Sequence, residues 1–369
     1  MNSINYIDLS TKERSEDDKG IALDRMICSF ISIGSCVGII IIYFTLCIQV
    51  CLKKKRSGKQ QGLQINNSIE SQDKIGLGSH FMFFLILSNF LESFVPIIFY
   101  IYYKDYVAEK GDPLCTTLGF FHNFLDLCAI CWTLVIVQLF KTSTQITEFA
   151  PGQEKKFFIF ACLYSILVPL VCTLSPFLLN LISGKYVYGD ADTHCSFYYK
   201  DAYWITVTFS AFVFLNIAYI VFLLWKVRKY YTKKLNLLEK GSEDYQVFRI
   251  YVLVFKIFPF ILIISRVLKG FSRGIQYYVS LLFNFNLPQN ILLTVNYIAA
   301  TLFCLNGLFN SLVCIYFFRS VFQCKNDREK GLSTSLVTIR DEEEDNGLGL
   351  VKPSIVQHEL GDDSIDIED

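Results

Sequence analysis

Seven stretches of mostly apolar residues recur along this chain of 369 residues, and they constrain its fold more than any other feature. They run Met26–Cys51, Phe81–Tyr103, Cys115–Phe140, Phe157–Ile182, Ala202–Trp225, Ile250–Leu268 and Ile291–Phe318. A helix rises 1.5 Å per residue, so about 20 apolar residues carry it across a bilayer core roughly 30 Å thick. Every stretch is about that long or longer. The first, fourth, fifth and seventh contain no Lys, Arg, Asp, Glu or His, and the others hold a few isolated ones. Within hydrocarbon a backbone must satisfy its own hydrogen bonds, and 20-residue apolar runs do so as helices. The expected fold is an all-α membrane protein, a seven-transmembrane helix bundle.

Orientation follows from where the basic residues lie. Connections after the first, third, fifth and seventh stretches hold more than twice as many Lys and Arg as the alternate set. The positive-inside rule therefore predicts an N-terminus outside and a C-terminus in the cytosol, in a multi-pass protein of the cell membrane. The expected organisation is a short extracellular N-terminus (1–25), a transmembrane domain (26–318) and a cytosolic tail (319–369). Residues before Met26 are polar and charged, so the first span itself is expected to direct insertion.

Three of the expected cytosolic segments carry chemistry. The loop Lys226–Arg249 contains Lys226, Arg228, Lys233, Lys234 and Arg249, with apolar residues at helical spacing near its start. It is expected to prolong the fifth helix and either dock a protein partner or present a solvated basic face. Lys53-Lys54-Lys55-Arg56 suits anionic membrane lipid or serves as a topology anchor. Arg319–Cys324 reads as a short helix along the membrane, with Cys324 a palmitoylation candidate. Beyond it, Ser333, Thr334, Ser335 and Thr338 precede an acidic run from Asp341 to Asp345, a pattern that kinases act on in disordered tails.

Most of the 13 cysteines fall inside apolar stretches and act there as small apolar residues. Cys115, which opens the third span at its outer end, and Cys195, in the loop before the fifth span, differ. Both fall on the side assigned to the oxidising exterior, where a bond between them would tether the loop before the fifth span over the bundle mouth. The alternative is two free thiols.

Ionisable groups inside a span cost roughly 2.5–3.5 kcal/mol at a helix centre and by default mark function. His122 and Asp126 lie one helical turn apart on the third span, on the face that also carries Thr133. Glu92 is mid-span in the second, near Asn89. It reads as a structural or switching group rather than a ligand contact. Lys256 reads as an inner polar lock that can snorkel, and Arg266 as an anion binder or an interfacial anchor. Tyr203 and Trp204, at the outer start of the fifth span, either stack a ligand ring or anchor in the interface. An intramembrane zinc hydrolase needs several His within spans, and only His122 lies fully inside one, so neither enzyme activity, metal nor cofactor is expected. Nucleic-acid binding has no support, because the basic runs face a membrane surface.

Taken together, the seven spans, the paired cysteines and the basic loop before the sixth span resemble a G-protein-coupled receptor. The third span, CTTLGFFHNFLDLCAICWTLVIV, with Gly119 and Trp132, is similar to that of cyclic-AMP-receptor-like and secretin/adhesion-like receptors. The seventh resembles the same families through LNGLFNSLVCIYF, with Asn306, Gly307, Asn310 and Ser311. Pro259 and Arg266 are similar to the sixth helix of the cyclic-AMP-receptor family, although Ser265 stands where that family usually has Asn. An Asp-Arg-Tyr, an Asn-Pro-x-x-Tyr and a seventh-span Lys are all absent, which argues against rhodopsin-like and retinal proteins. The resemblance implies a small extracellular ligand and coupling to a heterotrimeric G protein, with kinases and arrestin-like proteins acting at the tail. An anionic ligand would be received by Arg266, Lys269 and His122, with Asp126, Tyr203 and Trp204 as further candidates. Glu92, Trp132, Lys256, Pro259, Asn306 and Asn310 would form the activation switch. A transporter or channel is the competing expectation. The apolar run Ile275–Leu287 is too short to span and reads either as an interfacial cap or as an extension of the seventh helix.

Overall fold

The computed structural model of the chain describes residues 13–60, 77–109, 111–145, 152–183, 188–190, 194–197, 203–238 and 289–315, with single positions between 240 and 266. Its helices are α1 (Glu16–Gln60), α2 (Leu77–Glu92), α3 (Phe94–Tyr103), α4 (Pro113–Gln145), α5 (Gln153–Ser183), α6 (Tyr203–Leu237), α7 (Gln289–Cys304) and α8 (Asn306–Ile315). A two-stranded hairpin, β1 (Tyr188–Asp190) and β2 (Cys195–Phe197), sits between α5 and α6. Among the described residues, five helical segments are long and apolar enough to cross a membrane, and six if the bent pair α7 and α8 is one span. The apolar stretches Met26–Cys51, Phe81–Tyr103, Cys115–Phe140 and Phe157–Ile182 fall within α1 to α5. Within Ile250–Leu268 only single residues are described, all with helical backbone.

Helix starts are set by local chemistry outside the apolar runs. α1 begins before Met26 because Ser15 caps it: its Oγ accepts from the Asp18 amide at 3.2 Å, and Glu16, Asp17 and Asp18 place negative charge at the positive end of the helix dipole. α4 opens on Asp112-Pro113. Asp112 Oδ1 accepts from the Cys115 amide at 2.9 Å and from the Tyr103 hydroxyl at 2.7 Å, while Pro113 fits a first-turn position that needs no N–H. Gly111, at φ 83°, makes the left-handed turn that leads into this cap.

Two spans are interrupted. Pro96 has no N–H for the Glu92 carbonyl, and the ladder breaks between α2 and α3 at Ser93. Ser93 bridges the break through its amide and its hydroxyl, both donating to the Asn89 carbonyl at 3.1 Å and 2.8 Å. α7 and α8 meet at an angle of 41° around Leu305. No proline stands there. Gly307, just past the bend, packs so closely on α1 that an added Cβ would collide with the Ser32 hydroxyl and lie 3.1 Å from Cys36 Sγ.

The core gathers around α4. In its most apolar window 72% of residues are buried, against 22% for α1, α5 and α6, so α4 is the central helix and those three present apolar surface outward. Trp132 of α4 stacks on Phe84 of α2 with centroids 4.9 Å apart, and Phe81 joins Trp132 to Phe158 of α5.

Candidate functional site

α4 and the end of α2 bring ionisable side chains together inside the bundle. The break at Ser93 leaves Glu92 as the last residue of α2, pointing inward. One turn apart on α4, His122 and Asp126 face the same way, and all three are buried. Arg266, 5% exposed, enters from the far end of the Ile250–Leu268 stretch. Its Nη1 pairs with Asp126 Oδ1, its Nη2 lies 3.5 Å from Glu92 Oε2, and its guanidinium carbon sits 4.9 Å over the Phe303 ring of α7. His122 Nδ1 is 3.9 Å from Glu92 Oε1. Residues far apart in sequence are thus joined by one guanidinium shared between two carboxylates. Taking these charges out of water costs several kcal/mol per ion, and the pairing offsets that only while every partner is present.

Above this cluster sits the hairpin. Cys115 at the start of α4 and Cys195 on β2 form a disulfide with Cα atoms 5.2 Å apart, as expected from their placement. Gly119, one turn further along α4, lets β2 lie against the helix: an added Cβ would meet Tyr188 Cδ1 at 3.0 Å and the Ser196 amide nitrogen at 3.2 Å. The Tyr188 hydroxyl donates to the Thr173 carbonyl of α5 at 2.9 Å, and burial pushes this phenol's pKa up. Asn123 ties the two elements, donating to the Gly119 carbonyl at 2.7 Å and reaching Ser196 Oγ at 3.4 Å. Just before Cys195, His194 sets its ring edge-on to His122, with centroids 5.3 Å apart. The tethered hairpin therefore reaches the ionic cluster directly.

Below it, Asn306 of α8 donates to Asn89 Oδ1 of α2 at 2.8 Å, so the two interrupted spans are joined by an amide pair. Asn310 and Ser311 are buried on α8, and Ser311 Oγ lies 3.8 Å from Cys36 Sγ of α1. Between the two breaks lies a cavity with room for about one water. Ser29, Asn89, Glu92, Ser93, Asn306 and Gly307 are among its lining residues.

The remaining candidates are placed apart from this centre. Trp132 is in the aromatic core. Lys256 is exposed, as are Lys226, Arg228, Lys233, Lys234 and Arg249. On the far part of α6, Lys226 stacks over Phe222 at 4.9 Å and Lys234 over Tyr230 at 5.4 Å, so the basic loop does continue this helix as its spacing predicted. Tyr203 and Trp204 lie in the first turn of α6, and their side chains are outside the described residues. Pro259, Lys269, Ile275–Leu287, Arg319–Cys324, Ser333, Thr334, Ser335 and Thr338 are outside them altogether.

Sequence reasoning passed over three contributors. Phe303 carries no polar signal, and His194 was visible only as the neighbour of Cys195. Arg14 is buried at the start of the described chain. It donates from Nε to the Tyr103 carbonyl at 3.0 Å and from Nη2 to the Tyr106 carbonyl at 3.3 Å, and it covers the Phe99 ring at 5.0 Å. A cation there satisfies the last carbonyl of α3 and one just beyond it, and complements the negative dipole end of that helix. Among the described residues no group of three or more His, Cys, Asp or Glu is arranged to hold a metal ion. No protein-family model and no curated protein matches this chain.

Proposed function

We propose that this chain is a seven-span cell-surface receptor, with its N-terminus outside and its C-terminus cytosolic, that binds a small extracellular ligand and activates a heterotrimeric G protein. The observation that carries the reading is the route from the tethered hairpin through His194 and His122 to an ionic latch between helices. A ligand shifts a conformational equilibrium only through differential affinity for its two states. A group bound beside His194 and His122 has such leverage, because it acts on the charges that hold the segment bearing Arg266 against α2 and α4. Releasing that segment would open the opposite end of the bundle, where the exposed Lys233 and Lys234 lie on the far part of α6 and Arg249 follows it. The Asn89–Asn306 pair and the bend at Leu305 supply a second joint for the same change. In this reading the ligand is not anchored by Arg266 alone, since its guanidinium already serves two carboxylates. The tail residues Ser333, Thr334, Ser335 and Thr338 are the proposed sites for kinases and arrestin-like partners.

The decisive experiment is nucleotide exchange on purified G proteins, with the chain in nanodiscs and a panel of small anionic and nucleotide ligands. An N-terminal tag should be accessible on intact cells and a C-terminal tag only after permeabilisation. A C-terminal tag found outside, or no exchange with any G protein at verified surface expression, overturns the proposal. One observation favours transport as a second reading. Interrupted helices around buried charges also build substrate sites in transporters. Ligand flux into proteoliposomes, without G-protein activation, would support that reading instead.

A further inference from the structure

One face of α6 changes from apolar to basic along its length without turning into the bundle. Leu215, Tyr219, Phe222, Lys226, Lys229 and Lys233 recur at steps of four and three, so they share one side of the helix, and all are exposed. The other side carries Ile220, Leu223, Leu224 and Val227, each at most 2% exposed, which pack into the core with α4. The outward stripe therefore meets lipid tails where it is apolar and headgroups where the lysines begin. Trp225, 57% exposed beside it, marks that boundary, as aromatic residues do at the edge of a bilayer.

The lysines do not simply extend into water. Lys226 Nζ lies 4.9 Å from the centre of the Phe222 ring, and Lys229 Nζ 5.8 Å from that of Trp225. Helical side chains tilt toward the N-terminus, so each ammonium is turned back toward the apolar run and braced on an aromatic face. An unbraced lysine at a span end snorkels the other way. α6 contains no Asp or Glu, and among the described residues neither ammonium is paired with a carboxylate. Two cations one turn apart are thus held at headgroup depth with donors that the protein leaves unused. At i and i+3 their Cβ atoms stand about 5–6 Å apart, which lets both reach one phosphate. Lys233 follows one turn later, about 6 Å further along the axis.

We propose that this face binds one phosphoinositide molecule of the bilayer. Its phosphodiester sits between Lys226 and Lys229, a phosphate on its inositol ring faces Lys233, and its acyl chains run along Tyr219 and Leu215. The continuity of the stripe decides for a lipid over a soluble phosphate compound, because the same side that carries the ammonium groups offers an exposed apolar surface one turn below them. Cations at successive depths decide for a headgroup with more than one phosphate, since phosphatidylserine would leave Lys233 without a phosphate. General attraction of basic residues to any anionic leaflet is the competing account, and it is indifferent to the rings beneath the lysines. Lys233 also belongs to the proposed coupling surface, so the test leaves it in place. The inference needs α6 to cross a membrane but does not need the receptor reading, since no G protein enters the test.

The full chain in detergent micelles is titrated with phosphatidylinositol bisphosphate, phosphatidylserine or phosphatidylcholine, and bound lipid is counted by native mass spectrometry. Saturable binding of one phosphatidylinositol bisphosphate per chain is expected, with phosphatidylserine at least about tenfold weaker. Lys226→Gln/Lys229→Gln should weaken binding of the bisphosphate about tenfold or more, and Phe222→Leu/Trp225→Leu, which keeps every charge, by about fivefold. Lys155→Gln/Lys156→Gln removes the same charge from exposed positions in the first turn of α5 and should leave binding unchanged. All of these positions but Phe222 and Trp225 are exposed lysines, and those two rings face outward, so each variant should melt as the parent does. Equal losses from the two lysine pairs, or full binding after both rings are replaced, would show general attraction to anionic lipid and overturn the site. So would phosphatidylserine binding as tightly as the bisphosphate, or displacement of the lipid by an equal concentration of soluble inositol trisphosphate, which would make the ligand a phosphate compound rather than a lipid.

Discussion

Removing Arg266 while keeping its two carboxylates tests the ionic cluster most directly. In Arg266→Met the aliphatic bulk remains, but the buried carboxylates of Glu92 and Asp126 lose the guanidinium they share. Breaking a buried pair by deleting one partner costs about 3–5 kcal/mol. Loss of the stack over Phe303 adds about 0.5–2 kcal/mol. The expected destabilisation is therefore about 3–7 kcal/mol, comparable with the whole stability of many domains. The cost comes from uncompensated charge, so Arg266→Met/Glu92→Gln/Asp126→Asn should recover most of it. Asp126→Asn alone should cost less, since Arg266 keeps Glu92. Equilibrium unfolding in mixed micelles, run as a double-mutant cycle between positions 266 and 126, measures the coupling, expected to exceed about 2 kcal/mol. If Arg266→Met unfolds within about 1 kcal/mol of the parent, or the coupling is near zero, the charges do not hold these helices together.

Gly119→Ala places a methyl 3.0 Å from Tyr188 and 3.2 Å from the Ser196 amide nitrogen, so it should cost about 1–3 kcal/mol and speed hydrogen exchange across 188–197. Exchange as slow as in the parent would show that the hairpin tolerates a side chain there. Cys115→Ser should loosen the same hairpin, and unreduced peptide maps of the parent should recover the Cys115 and Cys195 fragments joined; two free thiols would refute this. Gly307→Ala should lower the melting temperature through its collision with Ser32, and Ser32→Ala in the same chain should restore part of the loss by removing the colliding oxygen. Under the proposed receptor function, neutralising Lys233, Lys234 and Arg249 together should reduce G-protein activation while leaving ligand affinity in the uncoupled state nearly unchanged, and normal signalling at equal surface expression would refute that placement of the coupling surface.

Much of this architecture was legible because helix formation in apolar segments is local. A run such as Phe157–Ile182 has few alternatives to a helix. The disulfide was readable for a similar reason, since only two cysteines fell at the same end outside the apolar interiors. The flagged groups Glu92, His122, Asp126 and Arg266 did prove to be buried, yet their roles were harder to read. As a lone cation near a span end, Arg266 reads as an anchor or an anion receiver. Which description applies depends on what stands opposite it.

That opposing surface is set by packing between helices, which no local pattern encodes. The sequence alone determined that the chain forms long apolar helices, which cysteines share an end and which spans carry charge. Only the tertiary structure decided that α4 is central, that Arg266 faces Asp126 and Glu92, that Asn306 meets Asn89, and that His194 descends onto His122. The physical reason is one of range. Helix propensity and apolar length act over a few turns, whereas ion pairs between distant spans depend on how every intervening helix is rotated and tilted, which is fixed by the fit of side chains across the whole bundle.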